Sequence, residues 1–215
     1  MEQPVISPPR PTIPPVEVAP PMSLSEARRA AARCEACALY ARATQTVFGE
    51  GPEDARIMLV GEQPGDQEDL AGRPFVGPAG RMLDAALAAA GLDRAQVYVT
   101  NAVKHFKFEP RGKRRIHQKP DAAEILACGQ WLSRERDAVR PVLTVLMGAT
   151  AARAVLGRAV TIGRERGQPI AIAGNAQALV TVHPSYLLRL PDAAAKQREY
   201  AAFVADLRLA VRLAA

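Results

Sequence analysis

Cysteine and long apolar runs are scarce in this chain, and each scarcity removes a class of protein. Three cysteines in 215 residues cannot build a disulfide framework. The longest stretch free of charged side chains, Gly167 to Leu188 apart from His183, is broken by Gln168, Pro169, Asn175, Gln177 and Pro184, so it is no membrane span. No short repeat supports a collagen or coiled-coil reading. The opening MEQPVISPPRP lacks the cationic and apolar regions of a signal peptide, so a cytoplasmic protein with no membrane partner is expected.

What is abundant is unevenly placed. Eight of the 18 prolines fall before Met22, and a segment of that composition cannot build a packed core. Residues 1–22 are therefore read as a flexible leader and residues 23–215 as one domain with a sizeable core. The formal charge is +6, and residues 104–119, KHFKFEPRGKRRIHQK, carry all of it: seven cations against one anion. Such a patch suits a nucleic-acid or phosphate binder, although a solvated basic loop would look the same. Two of the five phenylalanines, Phe106 and Phe108, and two of the three histidines, His105 and His117, lie inside it, which favours a binding role.

The periodicity predicts strands at Arg56–Val60, Val97–Thr100, Val142–Met147 and Ala178–Val182. Helices are predicted from Ser23, through a Ser-Leu-Ser-Glu capping box, to about Tyr40, then over Gly80–Ala90, Pro120–Val139, Ala149–Leu156 and Ala194–Leu213. Alternation of this kind predicts a three-layer α/β/α domain with a mostly parallel central sheet. Ligands of such sheets bind beyond the strands' carboxyl ends. Three of those ends read Gly61-Glu62-Gln63-Pro64-Gly65-Asp66, Asn101 and His183-Pro184-Ser185. The first could project carboxylates from a rigid turn, or be an acidic surface turn. Asn101 offers the donor and acceptor that read a pyrimidine edge, and Pro184 holds His183 extended. Cys34-Glu35-Ala36-Cys37, placed on the first helix, would turn both thiols to one side, with Cys128 on a later helix. A soft-metal site wants a fourth ligand, which His105 or His117 could supply; three buried apolar cysteines are the plainer possibility.

Taken together, GEQPGDQED at 61–69, PFVGPAG at 74–80, TNAVKHF at 100–106 and VHPS at 182–185 resemble the iron–sulfur, family-four branch of the uracil-DNA glycosylases. The likeness runs over about residues 24–212. Ordinary members have alanine at the position of Gln63, a fourth cysteine at that of His105, and no basic insertion; the UdgX subgroup shares all three departures, and its signature loop is similar to residues 112–119. The resemblance implies a [4Fe–4S] cluster on Cys34, Cys37, His105 and Cys128. It implies a uracil pocket of Gln63, Asp66, Phe75, Asn101 and His183. It also puts Glu62 beside His117, which would become joined to the deoxyribose after uracil leaves. Lys113, Arg114, Arg115, Lys119 and Ser185 would hold the DNA, preferably single-stranded because a paired base costs energy to extrude, and the protein would act as a monomer. A hydrolytic glycosylase without an adduct and a non-catalytic nucleic-acid-binding module are the alternatives.

Overall fold

Four five-residue apolar segments, too short for helices and bounded by turn residues, pair side by side as the centre of the fold. In this computed structural model, which describes residues 22–174 and 176–215, the strands in chain order are β1 (Ile57–Gly61), β2 (Val97–Asn101), β3 (Phe108–Arg111), β4 (Arg114–His117), β5 (Leu143–Met147), β6 (Pro169–Ala171) and β7 (Gln177–Thr181). The leader read over residues 1–22 lies, Met22 apart, outside the described residues. The main sheet has the order β2-β1-β5-β7-β6, parallel except for the β6 edge. Its four parallel strands are in step, with Ile57 opposite both Val97 and Leu143, and Leu143 opposite Gln177, so their carboxyl ends stand level. The chain leaves β1 to one side for β2 and returns on the other for β5, which opens a crevice between the strand ends there.

The helices are α1 (Leu24–Ala31), α2 (Asp66–Ala71), α3 (Pro78–Ala90), α4 (Ala122–Val139), α5 (Ala149–Leu156), α6 (Ile162–Glu165), α7 (Pro184–Arg189) and α8 (Ala193–Ala214). Strand alternation sends Met58, Val60, Tyr98, Leu146 and Val180 to one face, against Leu24, Ile125, Trp131 and Leu132 of α1 and α4. Ile57, Leu59, Val99, Val145 and Leu179 go to the other, against Leu83 and Leu87 of α3 and Phe203 and Leu207 of α8. The three-layer α/β/α architecture and its mostly parallel sheet are thus as the alternating pattern predicts. No helix among the described residues is long and apolar enough to cross a membrane.

Three local expectations change. The Ser23 capping box is formed, but the helix stops at Ala31, whose carbonyl accepts from the Cys34 N–H and the Thr46 hydroxyl instead of continuing the ladder. Cys34 and Cys37 therefore sit in a turn and not on a helix face. The basic loop is a hairpin, β3 against β4, turning at Gly112-Lys113. Helix α4 begins after an Asp121–Glu124 capping box, leaving Pro120 outside it.

Candidate active site

The level strand ends deliver side chains from four segments to one cleft of about 1040 Å³, lined by Glu62, Phe75, Asn101, His117, Lys119, His183, Ser185 and Arg189 among others. Glycine makes its inner end possible. A side chain at Gly61 would run into Asn101 Oδ1 and the Phe75 ring, and one at Gly80 would strike the Phe75 backbone. Phe75 itself has φ 57°, a conformation that a bulky residue adopts only when its surroundings force it, and it presents its ring 5.9 Å from that of His183. Asn101 Oδ1 and His183 Nε2 are both buried without a partner, which is costly unless a ligand completes them.

The tautomer of His183 follows from its other nitrogen. Nδ1 accepts from the Ser185 N–H at 3.2 Å and faces the Ser185 hydroxyl at 2.8 Å, while that hydroxyl oxygen accepts from Arg189 at 2.9 Å. The ring proton therefore sits on Nε2, at the cleft. Burial chiefly, helped by Arg189 and His117 and opposed by Glu62, pushes His183 down to about 4. An unfolded histidine titrates near 6.5, so between pH 6.5 and 4 the unfolded chain binds the extra proton and stability falls as pH falls. His183 is expected to contribute about 3 kcal/mol to this loss. Urea unfolding at pH 7 and pH 4 should show a shallower loss in His183→Asn; equal losses would refute the assignment.

At the mouth, Glu62 joins two elements. His117 Nε2 stands 3.3 Å from Glu62 Oε1, and the Thr150 hydroxyl donates to Oε2 at 2.5 Å. Burial alone would raise the Glu62 carboxyl, but His117 and Thr150 outweigh it and hold it below the usual carboxylate range. Thr150 carries no local signature of its own; only its place at the end of the third parallel strand, Met147-Gly148-Ala149-Thr150, points to the cleft edge. Like Arg189, it is not among the residues expected from the sequence.

The hairpin that brings His117 here is anchored by residues expected elsewhere. Gln63 was expected at uracil, yet its amide donates to the Lys107 and Gln118 carbonyls and accepts from the Lys107 N–H, clamping both feet of the hairpin. Arg115 was expected on phosphate. It pairs instead with Asp66 at 2.5 Å and Asp69 at 2.6 Å and lies over the Phe106 and Phe108 rings. The Asp66 carboxylate, expected at uracil, is thereby engaged, although Asp66 and Gln63 still line the cleft. Lys113 and Arg114 are exposed at the hairpin tip, and Lys119 is exposed at the cleft. Ser185 orients His183 as well as lining the cleft.

A sequence profile of the Uracil DNA glycosylase superfamily matches residues 48–208. The chain belongs to that superfamily. It is 42% identical over 158 residues to a type-4 uracil-DNA glycosylase of Thermotoga maritima, covering 73% of this chain and 79% of that protein. It is 35% identical over 177 residues to a type-4 enzyme of Archaeoglobus fulgidus, covering 79% and 85%. Within this member of the superfamily, Cys128 is buried, and the half-buried Cys34 and Cys37 pack against the same core cluster. Burial raises the Cys37 thiol, and Cys34 raises it further; Cys128 is pushed up to about 11, by burial first. Cys34 Sγ accepts from the Trp131 indole N–H and Cys128 Sγ from the Lys104 N–H, each at 3.1 Å. His105 is buried, with Nε2 on the Thr46 hydroxyl and Nδ1 unpartnered. Among the described residues no three His, Cys, Asp or Glu side chains converge on one metal ion.

Proposed function

We propose that the protein excises uracil from DNA, preferring single strands and acting as a monomer, and is left covalently joined through His117 to the deoxyribose, as a member of the UdgX subgroup. The observation that carries this reading is the 3.3 Å approach of His117 to Glu62 at the mouth of a cleft whose inner end holds two unpartnered polar atoms. The names of the type-4 relatives support the substrate.

The chemistry follows from the placement. An extruded uracil would stack on Phe75 and meet Asn101 with its N3–H and O4. As the N-glycosidic bond breaks, its electron pair leaves with uracil, and the neutral His183 Nε2–H stabilises that anion. The ionised Glu62 stabilises the cationic sugar. An imidazole lone pair of His117 then bonds to C1′, and the proton on the other ring nitrogen is lost, so the net products are neutral uracil and a neutral glycosyl imidazole. The hairpin supplies proximity: Gln63 fixes its base and Arg115 ties β4 to α2, while Lys113, Arg114 and Lys119 are free to meet phosphates. Incubation with deoxyuridine-containing single strands, read on a denaturing gel and by released base, tests the proposal. Uracil release with a retarded band is expected; release without the band leaves a hydrolytic glycosylase, and no release leaves a binding module.

The donor set of Cys34, Cys37, Cys128 and His105 fits the implied [4Fe–4S] cluster. Burial disfavours ionisation of the Cys37 and Cys128 thiols without a cation, and the His105 Nδ1 lacks a partner. Three cysteines and one histidine supply the four ligands that such a cluster takes. Bound there, it would tie the turn after α1, the β2 exit and α4 together without touching the sugar. Purified protein is expected to be brown and to contain iron and sulfide; a colourless, active protein with one zinc per chain would overturn the assignment.

A further inference from the structure

One buried lysine is counted in the basic segment but belongs to neither site. Lys104 and Glu135 are an ion pair at 2.5 Å whose side chains are 1% and 0% exposed. All three ammonium protons of Lys104 are used, on Glu135 Oε2, on the Thr100 hydroxyl at 2.6 Å and on the Asn101 carbonyl at 2.7 Å. Glu135 in turn accepts from the Gly49 N–H at 2.8 Å, the Thr100 hydroxyl and the Tyr98 hydroxyl. The lysine therefore folds back on the turn it ends and ties that turn to α4.

That turn, residues 101–105, carries Asn101 to the cleft and the buried His105, whose Nδ1 lacks a partner, and its Lys104 N–H donates to Cys128 Sγ. Asn101 Oδ1 and His105 Nδ1 are two of the four buried side-chain atoms without partners among the described residues. A buried ion pair is seldom a net gain over well-packed apolar side chains, so stability alone is a poor account of this one. We infer that Lys104, held by Glu135, is a positioning residue that fixes the base-reading amide of Asn101 and the ligand nitrogen of His105 in one braced turn. This rests on the proposed uracil excision for the role of Asn101 and on the proposed cluster for that of His105.

The test is the full-length double variant Lys104→Met/Glu135→Leu, which removes both charges and leaves neither stranded. Its thermal midpoint should stay near that of the wild type, while uracil release at saturating DNA falls about 10–100-fold with little change in half-saturating DNA concentration, and iron per chain falls with it. Lys104→Met alone should also melt lower, because it leaves Glu135 charged and buried. A double variant with wild-type release and wild-type iron would overturn the inference. Should the double variant fail to fold, Thr100→Val keeps the charges but removes one acceptor of the lysine; it should slow release severalfold, and wild-type release there would count against the idea equally. A wild type that releases no uracil would defeat the excision reading instead, and iron content would still judge Lys104.

Discussion

His117→Ser protein incubated with a deoxyuridine-containing single strand is expected to release uracil and leave the DNA free of protein on a denaturing gel. In the proposed mechanism, bond breaking at C1′ relies on the neutral His183 Nε2–H deeper in the cleft and on the ionised Glu62, which Thr150 as well as His117 holds. Thr150 still holds the Glu62 carboxylate when the imidazole is gone. Serine leaves space beside Glu62 into which water can enter, so hydrolysis replaces capture. The proposed histidine adduct would have no N–H on the bonded nitrogen and could not open to a Schiff base, so the wild-type band is expected to survive heat and detergent. An adduct persisting in His117→Ser at wild-type yield would remove His117 from the reaction and leave the hairpin as a DNA-gripping segment.

Asn101→Ala should lower uracil release by about 10²–10³-fold while DNA binding in a native gel stays within a few-fold. The substitution deletes a buried amide that would pair with both N3–H and O4, and each unmet polar group costs about 1–3 kcal/mol. The phosphate contacts proposed for the exposed Lys113, Arg114 and Lys119 would be untouched. The same geometry argues for rejection of cytosine, whose N3 is an acceptor and whose amino group is a donor. Gly61 lets Asn101 Oδ1 and the Phe75 ring come close together, where any side chain would collide with both. Wild-type release by Asn101→Ala would take the amide out of the site.

Sequence alone was enough for whatever depends on near neighbours. Short continuous apolar runs flanked by turn residues located the four parallel strands, because a strand's burial is written in consecutive residues. The in-step parallel pairing of those strands then carried Glu62, Asn101 and His183 to one edge, where the structure finds them lining one cleft. Side-chain commitments across the fold were decided only by tertiary structure. Local charge counting put seven cations in residues 104–119, but Lys104 is neutralised by Glu135, Lys107 by Asp121 and Glu124, and Arg115 by Asp66 and Asp69. Those carboxylates lie 14 to 49 positions away along the chain, so no window of the sequence contains them as partners. Gln63 turned from base contact to hairpin clamp, and Cys34 and Cys37 left the helix, for the same reason. A hydrogen bond from Thr46 or to the Lys107 backbone exists only once distant segments have packed.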